Sequence, residues 1–103
     1  MKLVLLVCGT GASSGFMASN ARKAAKERNV PLDFIARSDS VIEDYIEGSS
    51  LVMIGPHLSY LLDDLKDDYG SYNVPMAIIK DEVYGSLNGD GLVNQVLEIL
   101  DNK

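Results

Sequence analysis

The stretch Leu3-Val4-Leu5-Leu6-Val7-Cys8-Gly9-Thr10-Gly11-Ala12-Ser13-Ser14-Gly15 carries most of the architectural information in this chain. Its apolar run, Leu3 to Val7, has no polar alternation, the pattern of a strand buried on both faces. The run stops at Cys8-Gly9; the stretch Gly9 to Gly15 holds three glycines and three hydroxyl residues, and helical periodicity begins near Ser14 and continues to Arg28. Phe16/Met17, Ala21 and Ala24/Ala25 are expected on the inner face of that helix, and Asn29-Val30-Pro31 ends it.

The same alternation repeats downstream. Leu32 to Ala36 reads as a second strand, with a charge inside it that suits a sheet edge. A short helix over Val41 to Glu47 ends at Gly48, and Leu51 to Ile54 is another fully apolar strand, stopped by Gly55-Pro56. A helix over Leu58 to Tyr69 is expected to turn the stripe Leu58, Leu61, Leu62 and Leu65 inward and Asp63, Asp64, Asp67 and Asp68 outward. Val74 to Ile79 is a fourth strand, with Pro75 inside it marking an edge. Asp90 is the expected cap of a last helix whose stripe is Val93, Val96, Leu97 and Leu100. Strands alternating with helices require a parallel sheet with right-handed crossovers. The two fully apolar strands belong in the centre. The expectation is therefore an α/β fold: a single doubly wound domain over residues 1–103, with a four-stranded parallel sheet of order 2-1-3-4 and helices on both faces.

Composition narrows the function. The 103 residues include one cysteine and one histidine, which excludes a disulfide framework and most structural zinc sites. No metal or organic cofactor is called for. A net charge of −6 argues against nucleic-acid binding and against an anionic membrane surface. No apolar run is long enough to span a bilayer, and Met1 to Val7 lacks a signal-peptide pattern, so a cytoplasmic protein is expected.

In a doubly wound sheet, ligands bind beyond the carboxyl ends of the strands, where the winding reverses. That point lies between strands one and three, and the residues delivered there are Cys8 with its loop and Gly55-Pro56-His57. Backbone N–H groups from Gly9, Thr10, Gly11, Ala12, Ser13 and Ser14, with the helix N-terminus behind them, are suited to cradle an anion. They would favour the Cys8 thiolate and equally a phosphoryl group bonded to its sulfur. A strand-end cysteine can also be inert filler. Cysteine-dependent phosphatases place an arginine six positions after the cysteine; here that position is Ser14, and no Arg or Lys occurs from Gly9 to Ala21. Without that clamp a thiophosphate can outlive hydrolysis and be handed on. His57 is a candidate hydrogen-bond donor to such a group, or simply a polar residue at a helix start. Tyr84 reads as a partner contact or as half-buried core. Arg22, Lys23, Lys26 and Arg28 read as a partner surface or a solvated helix face.

Three segments together resemble a known family: the strand into Cys8-Gly9-Thr10-Gly11-Ala12-Ser13-Ser14, Val52-Met53-Ile54-Gly55-Pro56-His57-Leu58-Ser59-Tyr60, and Val83-Tyr84-Gly85 before the last helix. The chain resembles, over essentially its whole length, the enzyme IIB components of the bacterial sugar phosphotransferase system, lactose/cellobiose/diacetylchitobiose class. The resemblance implies that Cys8 accepts a phosphoryl group from a IIA phosphohistidine. Cys8 would then donate it to a sugar, of β-linked disaccharide type, held by the membrane transporter IIC, at the inner face of the membrane. It implies Gly9 to Ser14 as the phosphate cradle; His57 and Tyr84 remain candidate auxiliary residues, and a monomer that is not itself inserted in the membrane is expected. Similar proteins usually carry Met at position 12 and Thr at position 14; Ala12 leaves backbone donors intact and Ser14 keeps the hydroxyl. Two other readings compete: a small cysteine phosphatase, opposed by Ser14 in place of arginine, and a non-catalytic module that binds an anion or a regulatory partner.

Overall fold

A computed structural model describes residues 1–7 and 12–101, without the side chains of residues 12–14. The strands β1 (Lys2–Val7), β2 (Leu32–Arg37), β3 (Leu51–Ile54) and β4 (Met76–Ile78) form one parallel sheet of order β2-β1-β3-β4, as the apolar and edge patterns require. Val4 to Val7 and Leu51 to Ile54 are fully buried, which accounts for the absence of polar alternation in the two central strands. In the register, Val7 stands beside Arg37 on one flank and Ile54 on the other.

Helices cover both faces. On one, α1 (Ala12–Glu27) and α5 (Gly89–Asp101) pack Met17, Ala18, Ala21, Leu92, Val93 and Val96 over Val4, Leu6, Phe34 and Met53. On the other, α2 (Ile42–Tyr45) and α3 (Leu62–Tyr69) pack Ile42 and Leu65 over Leu5, Val7, Val52 and Ile54. The small residues of α1 let α5 approach its backbone: a Cβ built on Gly89 would lie 2.3 Å from the Asn20 carbonyl oxygen. No helix among the described residues is long and apolar enough to cross a membrane.

Several local expectations need correction. Phe16 is not on the inner face of α1; it is 62% exposed, and Ala18 is buried instead. At 3.6 residues per turn, position 16 lies roughly 140° around the helix from Ala21, while 17, 18, 24 and 25 cluster near it. The segment from Leu58 to Tyr69 is not one α-helix. Pro56–Leu61 is 3₁₀, Leu58 departs from helical geometry at φ −111, ψ 17, and the α-helical part begins at Leu62. Leu58, Leu61 and Leu62 are consequently half-buried, with Leu65 alone in the stripe fully covered. Pro75 precedes β4 rather than interrupting it, and its carbonyl accepts the Val52 N–H at 2.9 Å. Asp90 does not cap α5. The Asn88 side chain accepts the Gly91 N–H at 2.9 Å, and Asp90, in the first turn, pairs with Arg28 at 3.8 Å. A short helix, α4 (Asp81–Gly85), was not anticipated; it buries Val83 beneath α5.

Candidate functional site

The doubly wound topology puts the carboxyl ends of β1 and β3 side by side at the point where the winding reverses. The Gly55 N–H donates to the Val7 carbonyl at 2.9 Å and the Ile79 N–H to the Ile54 carbonyl at 2.8 Å, so the ends of β1, β3 and β4 are tied together just where the chain leaves the sheet. Cys8 follows Val7 directly in sequence. Cys8, Gly9, Thr10 and Gly11, the first part of the expected cradle, lie outside the described residues. Ala12, Ser13 and Ser14 belong to the first turn of α1, two residues earlier than periodicity indicated. Their backbone N–H groups are among those that an α-helix leaves without intrahelical acceptors, and no acidic side chain occupies that turn.

His57 enters from the β3 side. It is exposed, two residues past Gly55, and its ring stands against that of Tyr84, with centroids 5.4 Å apart and planes tilted by 39°. Tyr84 is half-buried on the core beneath α1 and α5, as the core reading of it expects, and it also touches His57. The α4 segment that carries Tyr84 is held from α5. Gln95, buried, accepts the Lys80 N–H through Oε1 at 3.2 Å and donates through Nε2 to the Ile78 carbonyl at 2.8 Å. Two residues distant in sequence, His57 and Tyr84, are thereby fixed together at the carboxyl edge.

Sequence reasoning passed over Arg37. The absence of a cation from Gly9 to Ala21 holds for the loop, but β2 carries one to the same edge, level with Val7. The Arg37 guanidinium lies 4.9 Å from the Tyr45 ring centroid, and it donates to the Ala36 carbonyl at 2.7 Å. The signal was available only through strand register, not through spacing along the chain. The basic residues of α1 and the turn after it separate into roles: Arg22 donates to the Phe34 carbonyl, and Arg28 pairs with Asp90. Both therefore brace the fold in part.

The opposite edge and face have different characters. A groove of about 620 Å³ is lined by Lys2, Ser49, Ser50, Val74 and Pro75, at the amino ends of the strands, away from the carboxyl edge. Beside α2 and α3, burial first, then the nearby Glu43, Asp68 and Asp44 carboxylates, raise the Tyr69 hydroxyl above its ordinary 10.0. Among the described residues no group of three or more His, Cys, Asp or Glu side chains is placed to hold a metal ion.

Comparison with known proteins agrees with this fold. The family described as the lactose/cellobiose-specific IIB subunit of the PTS matches residues 3–95. The oligo-β-mannoside-specific EIIB component of Bacillus subtilis is 24% identical over the full length of both chains. The lactose-specific EIICB component of Staphylococcus epidermidis is 28% identical over 88 residues, which are 85% of this chain and 15% of that one. Among solved structures, the lactose-specific IIB domain of Streptococcus pneumoniae superimposes with a TM-score of 0.84 at 17% identity, over 94% of this chain and 95% of that one. The extent of the family match, on a sheet of the same order, establishes that this chain belongs to the lactose/cellobiose-specific IIB subunits of the phosphotransferase system.

Proposed function

We propose that this chain carries a phosphoryl group as a thiophosphate on Cys8, between a IIA phosphohistidine and a sugar bound to a membrane IIC transporter. In the first step the Cys8 thiolate attacks phosphorus in line. The S–P bond forms as the P–N bond breaks, and the imidazole nitrogen keeps the electron pair. In the second step a sugar hydroxyl oxygen attacks the same phosphorus, the S–P bond breaks, the hydroxyl proton passes to solvent water and the thiolate is regenerated with the S–P electron pair. No net proton or electron is left on the protein.

The observation that carries this reading is the position of the β1 carboxyl end. It lies between β2 and β3 at the topological switch point, immediately before Cys8 and five residues before the start of α1. A helix N-terminus and a run of backbone N–H groups stabilise phosphoryl charge without a cationic side chain in the loop. Gly9 to Ser14 form the cradle on this reading, and His57, steadied by Tyr84, adds one side-chain donor. The family membership supports phosphoryl transfer as the activity, and the fused EIICB relative supports a IIC partner. The sugar is of the β-linked disaccharide class, and the protein works at the cytoplasmic face as a monomer.

Intact mass spectrometry after incubation with phosphoenolpyruvate, the general phosphotransferase proteins and a IIA protein tests the reading. One added phosphoryl group, absent in Cys8→Ala, is the expected result. An unmodified wild-type chain with several IIA proteins, or an adduct that survives in Cys8→Ala, would refute it.

A further inference from the structure

We propose that the Asn88-Gly89 pair is a spontaneous covalent modification site gated by the docking of α5 on α1, at which asparagine converts to aspartate or isoaspartate once that contact opens. The inference is independent of the chemistry at Cys8. Of the six asparagines in the chain, Asn88 alone precedes a glycine. Glycine carries no Cβ to hinder attack by its own nitrogen, and its backbone turns freely once released. In the reaction the Gly89 nitrogen loses its proton to a solvent base and attacks Asn88 Cγ. The new C–N bond closes a five-membered imide as the bond from Cγ to Nδ2 breaks, and the amide nitrogen takes a proton from water and leaves as ammonia. Water then opens the imide at either carbonyl. Opening at the main-chain carbonyl gives isoaspartate, whose backbone runs through the former side chain; opening at Cγ gives aspartate. The balance is one water consumed and one ammonia released, with no oxidant or cofactor.

The fold restrains both reacting groups. Asn88 is exposed, but Gly89 is buried against the α1 backbone, where a built Cβ would lie 2.3 Å from the Asn20 carbonyl oxygen. Asn88 is tied at three points: its side-chain oxygen accepts the Gly91 N–H at 2.9 Å, its own N–H donates to the Val83 carbonyl at 2.9 Å, and its carbonyl accepts the Leu92 N–H at 3.0 Å. Its amide lies directly over Gly91, where an added Cβ would meet Nδ2 at 3.0 Å. Ring closure must lift Cγ off Gly91 and turn it onto the Gly89 nitrogen, which breaks the cap. The turn leading in is strained, since Leu87 sits at φ 52, a left-handed conformation that costs a leucine free energy, and the Asn20 side chain holds the Leu87 carbonyl at 2.9 Å. Released from that tie, the turn relaxes away from α1. The two products then differ in consequence. An aspartate keeps an oxygen to cap Gly91, and its charge suits a helix N-terminus. An isoaspartate lengthens the main chain by a methylene where Gly89 has no room against Asn20, so it blocks re-docking of α5.

The test incubates the full chain in mildly alkaline buffer, with and without denaturing guanidinium chloride, and follows it by intact mass and by peptide mapping that separates aspartate from isoaspartate. Exchange of NH2 for OH raises the mass, which distinguishes Asn88 from imide formation at the neighbouring Asp90-Gly91, where the mass does not change. Conversion at Asn88 is expected to be at least about tenfold slower in buffer than in denaturant, because opening must release a helix cap and a packed helix contact together. Asn20→Ala, which removes the tie to Leu87, should speed conversion in buffer by roughly two- to tenfold and leave the rate in denaturant unchanged. Returned to buffer, chains carrying isoaspartate should fail to recover the wild-type Tm, whereas Asn88→Asp should unfold close to it. Equal rates in buffer and in denaturant overturn the gate, as does an Asn20→Ala rate in buffer equal to that of wild type. No conversion in denaturant, under conditions where a short Asn-Gly peptide converts, overturns the site itself. Isoaspartate chains that regain the wild-type Tm overturn the block to re-docking.

Discussion

Replacing Gly89 by alanine probes the contact that sets the spacing between α1 and α5. The added Cβ would lie 2.3 Å from the Asn20 carbonyl oxygen, 2.5 Å from its carbon and 3.0 Å from the Ala21 nitrogen. All three atoms are helix backbone, so no side-chain rotation relieves the overlap. Non-bonded atoms of this kind prefer roughly 3.5 Å, so the start of α5 must retreat from α1 by about 1 Å. That retreat loosens the packing of Leu92, Val93 and Val96 against Ala21, Ala24 and Ala25, and it strains the Asn20 side-chain bond to the Leu87 carbonyl at 2.9 Å. Overpacking costs about 1–3 kcal/mol, and separating a close-packed helix pair adds to it. Against this stands the better helix propensity of alanine, at most about 1 kcal/mol and less in a first turn. The expected net loss is about 2–3 kcal/mol, from a total stability of about 5–15 kcal/mol for a domain of this size. At roughly 4–8 °C per kcal/mol, thermal unfolding followed by circular dichroism should show Tm lower by about 10–20 °C. Gly85→Ala is the control: nothing lies within 4 Å of its built Cβ, and its Tm should stay close to wild type. Equal Tm values for Gly89→Ala and wild type would show that the α1–α5 crossing has slack and that the close-approach reasoning is wrong.

His57→Ala should lower the equilibrium constant for phosphorylation by IIA by about 10- to 100-fold, the usual worth of one donor to a charged group, and His57→Gln should restore part of it. Unchanged occupancy in His57→Ala would leave the ring as mere packing against Tyr84, and an unaltered Tm would show that the loss is not one of folding. Tyr69 gives a pH signature. Because its folded-state pKa is raised, the folded chain holds that proton more tightly than the unfolded chain. Its contribution is present below pH 10.0 and is lost as pH rises through the folded value. Tyr69→Phe should therefore flatten the fall of stability above pH 10.0, as measured by urea midpoints. An identical alkaline profile in the variant would remove Tyr69 as its source.

The residues differ in how visible they were from sequence. The apolar runs at Leu3 to Val7 and Leu51 to Ile54 specify central strands because full burial on both faces leaves no room for polar alternation. Once those two strands are central and the others are edges, the order follows, and with it the place where Cys8 emerges. The ends of elements were less legible. Asn88 and Asp90 are both good caps on intrinsic preference, and the choice of Asn88 depends on where α5 must start for Gly89 to meet Asn20. Phe16 looked like core by residue type, yet its angular position on α1 turns it to solvent. The Cys8 loop was picked out by composition and position, since small and hydroxyl residues between a buried strand and a helix suit an anion cradle.

Chain sequence therefore determined the layer order and the family resemblance, because strand burial is a local property that leaves periodic marks. It could not bring Arg37 level with Val7, set His57 against Tyr84, or have Gln95 tie β4 to α5. Those juxtapositions join residues far apart in sequence, and they arise from strand register and helix docking. Spacing along a chain encodes neither; they exist only once the buried faces of the sheet have fixed where each strand ends.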